Sequence, residues 1–300
     1  MTTTSDAVAL RTNAERVKST SLWRDAARRF ARHPVGMAGA ILVTLLVITA
    51  IFGPSFAPHN PNEFVDFSAR FGKPTTQYPM GLDDYGRDIL SRIIYGARVS
   101  ARVGVIAVGI AAFTGTVLGM VAGFGNRVLD EIIMRLMDIL FAFPSILLAI
   151  AIMAALGKGV TNAMIAIGIV YIPIFARIAR GATLSIKEED FILASRAIGA
   201  NDMYILRAHV FPNILSPIIV EITLSLSFAI LAEAALSFFG LGTQIPDPSW
   251  GRMLKEGQTY YQQSIWMSIF PGLAIMLTVM GFNFLGDGLR DALDPKMKNG

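Results

Sequence analysis

The chain has 300 residues, of which 53% are hydrophobic and only 16% charged, and its mean hydropathy is +0.54. Soluble domains run at about 45–50% apolar and about 25% charged, so this balance excludes an ordinary soluble enzyme. Cysteine is absent, which removes disulfides, Cys-ligated metals, iron–sulfur clusters and thiol nucleophiles.

A helical span needs about 20 apolar residues to cross hydrocarbon roughly 30 Å thick. Six candidate windows of that size occur, five of them charge-free. Val35–Phe56 is the first, and at that length it reads as a retained anchor rather than a cleaved signal. Arg102 to Arg127 encloses 24 uncharged residues, Asp138 to Lys158 encloses 19, and Lys158 to Arg177 encloses 18, with Gly157–Thr161 as the break of a helical hairpin. The fifth window runs from about Asn213 to Phe238, interrupted by Glu221 and Glu233. The sixth is the later part of the uncharged run between Glu256 and Asp287. An all-α polytopic membrane protein with six transmembrane helices follows.

Cytoplasmic flanks hold Lys and Arg preferentially. With both chain ends inside, 17 of the 26 Lys and Arg residues are cytoplasmic and nine are outside. The net charge of +4 is therefore mostly topology, not a nucleic-acid footprint. The expected division is a cytoplasmic segment 1–34, a first span 35–56, an extracytoplasmic segment 57–98, a five-helix core 99–286 and a cytoplasmic tail 287–300.

Within the spans, Gly115, Gly119 and Gly123 share one helical face and predict close packing by a second backbone. Pro144, before Ser145, predicts a kink that shapes either packing or a pathway. Glu221 reads as a boundary residue. Glu233, deeper among apolar neighbours, reads as a hydrogen-bonding partner of an adjacent helix in preference to a substrate contact. In the outer segment Asp83, Asp84 and Asp88 beside Arg87 and Arg92 read as solvated ion pairs. A second outer segment, 240–264, predicts an interfacial helix with Tyr260 and Tyr261 as membrane anchors.

Several chemistries find no residues. The phosphate-cradling pattern G-x-x-x-x-G-K-[ST] does not occur, so nucleotide energy has to come from another chain. His33, His59 and His209 are too scattered for a metal site, and G-x-S-x-G is missing. Nothing points to an enzyme, a cofactor or a resident metal.

The segment between the fourth and fifth spans is too patterned for a slack loop. Ser185 and Glu188 have capping-box spacing, Glu188, Glu189 and Asp190 crowd a first turn, and a helix over Phe191–Ile198 ends at Gly199. Asn201-Asp202 then caps a second helix, Met203–Val210, closed by Pro212. Phe191, Ala194, Ser195 and Ile198 form a stripe that either lies on the membrane surface or docks into a partner.

These residues resemble the EAA loop of bacterial ABC-importer permeases, E-A-A, three residues, G, nine residues, I-x-L-P. Leu193, Ala194 and Ser195 occupy the first three positions, then Gly199, His209, Phe211 and Pro212 follow. The runs GLDDYGRDILSR at 81–92, GARVS at 96–100, LSFFGLG at 236–242, PSWG at 248–251 and GDGLRDALDP at 286–295 are similar to the C-type permeases of dipeptide, oligopeptide, glutathione and nickel importers. The likeness covers about residue 20 to the end. It implies a type I ABC-importer permease fold in the bacterial inner membrane, forming half of a pathway for short peptides, with glutathione or nickel as alternative cargo. It also implies a B-type permease partner, two ATPase subunits that bind ATP and Mg, and an extracytoplasmic substrate-binding protein. Asp190, Phe191, Leu193, Ala194, Ser195, Ile198, Gly199, Ala200 and Pro212 would be the ATPase-coupling residues. From another class, a self-contained secondary transporter or channel is the main competitor; the lack of an inverted repeat and of an intramembrane charge pair disfavours it.

Overall fold

A computed structural model describes residues 22–65 and 67–293. The expected N-terminal segment before Leu22 and the end of the tail, Pro295 included, lie outside them.

A short amphipathic helix, α1 (Leu22–Phe30), precedes the first long one, α2 (Pro34–Phe56). Pro34 at the first turn has no N–H to leave unpaired, and His33 Nδ1 accepts the Gly36 N–H at 2.9 Å. The second long helix, α3 (Ile89–Phe124), starts well before the predicted window. Its N-cap is Asp88, whose carboxylate accepts the Ser91 N–H at 2.9 Å. At 36 residues α3 is about 54 Å long, so it projects beyond any bilayer.

The third span is where expectation and structure part. The window reads as one kinked helix; the chain instead forms α4 (Arg127–Phe141) and α5 (Ser145–Leu156), bent 93° apart at residues 142–144. Pro144 removes a backbone donor and pushes Phe143 out of the helical region, which breaks the helix outright. Among the described residues, five helices are long and apolar enough to cross a membrane, and the bent pair makes a sixth, broken span.

Gly157 and Gly159, at φ +90° and +132°, turn the chain from α5 into α6 (Val160–Lys187). A short helix α7 (Asp190–Ala197) and a one-turn α8 (Asp202–Ile205) follow. Here Pro212 does not close the second helix. A π-turn over Leu206–Val210 joins α8 to α9 (Phe211–Phe238), making one helical run of 37 residues. The Phe211 N–H bonds to the Leu206 carbonyl, and the Asn213 side chain donates to the His209 carbonyl at 2.7 Å. The ladder is thus rerouted around the missing proline donor.

The last elements are α10 (Trp250–Thr259) and α11 (Trp266–Leu293). Tyr260 and Tyr261 fall after α10, not on it. Tyr260 packs on Phe71 of the outer segment, ring centroids 5.2 Å apart, and Tyr261 is exposed.

Close approaches fix the helix directions. Gly115, Gly119 and Gly123 of α3 rest successively against Ile172, Ala176 and Arg180 of α6, so these helices run parallel. Ser100 of α3 meets Glu233 near the end of α9, so that pair is antiparallel. His33 at the start of α2 pairs with Asp291 at the end of α11 (3.2 Å). One end of the bundle, end A, therefore carries the starts of α2 and α9, the ends of α3, α6 and α11, and α7. The opposite end, end B, carries residues 57–88 and α10. One apolar core lies between α3, α5, α6 and α9, around Val103, Ala107, Ala163 and Phe175. A second, around Ile89, Trp250, Met253 and Phe282, joins α2, α3, α10 and α11.

Candidate functional site

At end A the chain reverses twice under the bundle. The capping box expected at Ser185 is not used: α6 runs on through Ser185 to Lys187, because its apolar face continues through Ile178, Ala179, Ala182 and Ile186 with nothing to stop it. Glu188 ends α6, Glu189 precedes α7, and Asp190 places a negative charge in the α7 first turn, where the helix dipole favours it.

The stop is sharper than the start. Gly199 adopts φ +85°, the Gly199 N–H bonds to the Arg196 carbonyl at 2.9 Å and the Ala200 N–H to the Ser195 carbonyl at 3.1 Å. This left-handed glycine cap satisfies carbonyls that the helix end would otherwise leave open. Asn201 Oδ1 then accepts the Tyr204 N–H at 2.8 Å and starts α8.

The eight-residue α7 buries one side chain completely, Ile192, which joins Ile205 and Val210 in the core. Phe191, Leu193, Ala194 and Ile198 stay outside, Ile198 at 86% exposure. Ser195 is half-buried, donating to the Phe191 carbonyl at 2.8 Å and lying 3.3 Å from His209 Nε2. The imidazole sits between the rings of Phe191 and Tyr204. Two cations bind the segment to α3: Arg196 lies 4.9 Å over the Phe124 ring, and Lys187 Nζ donates to the Phe124 carbonyl at 3.2 Å. Of the stripe read from sequence, Phe191, Ala194 and Ile198 are exposed and Ser195 is half-buried, while Leu193, Ile192 and Phe124 lay outside that pattern. Ile192 lies off the stripe that the 3.6-residue period picks out, and Phe124 is 68 residues away from Ile192.

The other candidates do not converge here. Gly115, Gly119 and Gly123 line the α3–α6 contact. Ser145 opens into a cavity with Tyr171 and Phe228. Glu233 is fully buried near end B, where its carboxylate accepts from Ser237 at 2.7 Å, Ser100 at 3.4 Å and Thr243 at 3.5 Å.

The outer acids are buried, not solvated. A tight turn closed by the pairing of Leu82 with Asp88 folds Asp83 inward. Asp83 accepts the Arg87 Nε–H at 2.6 Å, Arg92 lies 3.4 Å from it, and both arginines approach Glu256 of α10 (3.7 and 3.5 Å). The carboxylates of Asp83, Asp84 and Glu256 lie within 4.8 Å of one another, and the two guanidiniums supply their counter-charge. Burial, with Asp83 and Glu256 adding repulsion that Arg87 only partly offsets, pushes the Asp84 carboxyl up to about 6 from 3.8. A carboxyl with a raised native pKa contributes most below about pH 4 and loses that contribution as pH rises through 6. Asp84→Asn is therefore expected to stabilise the outer segment at pH 7.5, by roughly 1 kcal/mol once solvent screening of a half-desolvated carboxyl is allowed for. It should also flatten the pH 4–6 dependence, both measurable as amide-exchange protection of residues 67–88; an unaltered profile would contradict the buried-acid assignment.

Among the described residues, a helical bundle with five long apolar helices, a broken sixth span and a displayed apolar helix at one end defines a polytopic membrane protein. Residues 115–299 match the family described as binding-protein-dependent transport system inner membrane component, and residues 21–77 match the N-terminal TM domain of oligopeptide transport permease C. A dipeptide transport system permease protein from Alkalihalophilus pseudofirmus is 48% identical over 93% of this chain and 91% of its own length. A glutathione transport system permease protein from Escherichia coli is 47% identical over 92% and 91%. Among solved structures, an inward-facing methionine ABC transporter superposes with TM-score 0.57 at 18% identity, over 68% of this chain and 96% of that one. The chain belongs to the binding-protein-dependent transport system inner membrane component family, as a C-type permease subunit of an ABC importer, multi-pass in the bacterial inner membrane. Members of this family are permease subunits, not enzymes, and work with ATPase and substrate-binding partners.

Proposed function

We propose that this chain is one half of the translocation path of a short-peptide importer, paired with a B-type permease, with end A in the cytoplasm. The dipeptide permease relative supports peptide as the cargo class; the glutathione permease, nearly as similar, makes that tripeptide the second reading. The observation that carries the coupling role is the displayed face of α7. Phe191, Leu193, Ala194 and Ile198 are exposed on a helix anchored from behind by Ile192 and tied to α3 through Phe124.

In this reading α7 seats in a groove of one of two ATPase subunits, which bind ATP and Mg, and Gly199 with Ala200 and Pro212 sets the path of the return. The 17 to nine distribution of Lys and Arg supports the orientation. Residues 57–98 then face the extracytoplasmic binding protein, 185–212 form the coupling segment within the 99–286 core, lipid surrounds the spans, and the segments 1–34 and 287–300 are cytoplasmic. Purification of the tagged chain should recover two ATPase subunits and a second permease. Uptake of labelled dialanine into vesicles should require the binding protein outside and ATP inside; uptake by this chain alone would favour a self-contained transporter.

A further inference from the structure

Three cavities lie along one side of the bundle. Toward end B, a space of about 260 Å³ is bounded by Ser145, Tyr171, Leu231 and Ala235. A second, about 320 Å³, shares Ser145, Tyr171 and Phe228 with it and reaches Phe143 at the α4–α5 break. The third, about 480 Å³, lies toward end A between Ile178 of α6, Ser216 and Glu221 of α9, and Arg290 of α11.

Helical geometry joins them. At 100° per residue, Ala235, Ala232, Phe228, Leu224, Glu221 and Pro217 fall within about 80° on α9, and Ile167, Tyr171, Ile174 and Ile178 within about 60° on α6. The first two spaces are one groove, and the third continues its line along the same faces of α6 and α9. Its outer two-thirds is apolar apart from the Ser145 and Tyr171 hydroxyls. Its inner third brings together a carboxylate, a guanidinium and the Ser216 hydroxyl.

The two glutamates of α9 make the contrast. Glu233 lies about 120° around the helix from Glu221 and is sealed by three hydroxyls. Glu221 is half-buried, and among the described residues its Oε1 accepts the Ser225 hydroxyl at 2.9 Å. Neither Glu221 nor Arg290 has an ionic partner among the described residues. A carboxylate at the edge of an apolar groove is costly unless a cation meets it. Acyl chains would suit Phe228 and Leu231 but leave the half-buried Glu221 unmatched and the exposed Arg290 beside it unused. A ligand with an ammonium and a carboxylate matches both, and short peptides with free termini are of that class.

We propose that this groove carries the cargo and that its inner cavity is a transient site for a zwitterion, Glu221 receiving the ammonium and Arg290 the carboxylate. The inference rests on the peptide-importer reading and assigns it contacts. The test is uptake of labelled dialanine and glutathione by the assembled transporter in vesicles. Glu221→Gln is expected to cut uptake at least tenfold, mainly in kcat, while binding-protein-stimulated ATP hydrolysis and recovery of the second permease stay within twofold. Glu221→Asp should restore at least a third of uptake, and Arg290→Gln should impair it in the same way. Undiminished uptake by Glu221→Gln, failure of the aspartate to rescue, or loss of the second permease from the variant complex would each overturn the site. Wild-type complex that imports neither probe would instead overturn the peptide reading on which it rests.

Discussion

Replacement of Gly199 by valine should leave a folded, assembled permease that no longer imports. Gly199 sits at φ +85°, and a Cβ built there meets nothing within 4 Å. The cost is therefore entirely in the backbone, roughly 1–2 kcal/mol or more for a β-branched residue forced into the left-handed region. That strain is relieved by distorting the α7–α8 turn at Gly199, where the added side chain itself meets no core atom. α7 would turn about its Ile192 anchor, and the displayed face of Phe191, Leu193, Ala194 and Ile198 would lose its fixed orientation. Thermal unfolding in detergent should move by no more than about 2 °C, since the bundle itself is untouched. ATP-dependent uptake in reconstituted vesicles should fall at least tenfold while ATP hydrolysis persists. Gly199→Asn, which tolerates the left-handed region better, should be much milder. Normal coupling in the valine variant would mean that the turn geometry does not matter.

Gly119→Val should fail earlier, at folding. A Cβ at this position overlaps the Ala176 carbonyl of α6, and also comes to 2.7 Å from Ala179 Cβ and 2.9 Å from the Arg180 nitrogen. Two of these neighbours are backbone and cannot rotate away, so α3 and α6 must separate along the contact that Gly115 and Gly123 extend in both directions. In lipid, helix association rests on close packing rather than on a hydrophobic drive, so the loss is not offset by burial elsewhere. About 3 kcal/mol or more is expected for overpacking here, read as a thermal midpoint lowered by roughly 5–10 °C and a smaller monodisperse fraction. Gly109→Val is the control on the same helix: a Cβ there meets nothing within 4 Å. Equal effects of the two would show that the glycine face is not what holds α3 to α6.

What the sequence showed and hid follows from the range of the interactions involved. Five spans were legible because a run of apolar residues is a local property, as was the Gly199 stop, where the residue type and the turn geometry coincide. The broken span was only half legible: Pro144 announced a distortion, but whether it kinks or breaks the helix depends on what the freed segment packs against. The continuation of α8 into α9 was hidden because Pro212 normally ends a helix, and the side chain that replaces its missing donor, Asn213, carries no distinctive pattern. The outer acids were misread for a related reason. Their charge suggested water, whereas Arg87 and Arg92 neutralise them, and the α10 residue that closes the cluster over these arginines, Glu256, is 164 residues from Arg92 in sequence.

Prolines also divide the bundle mechanically. α6, α9 and α11 each contain one in their interior, at Pro173, Pro217 and Pro271, whereas the 36 residues of α3 contain none. At one tip α3 is embedded in the ion cluster through Arg92 and clamped by Trp250, whose indole donates to the Ile93 carbonyl at 3.0 Å. At the other tip the Phe124 ring carries Arg196. α3 is thus an unbroken rod that touches both faces of the molecule, while the helices packed around it carry the prolines that interrupt a backbone ladder.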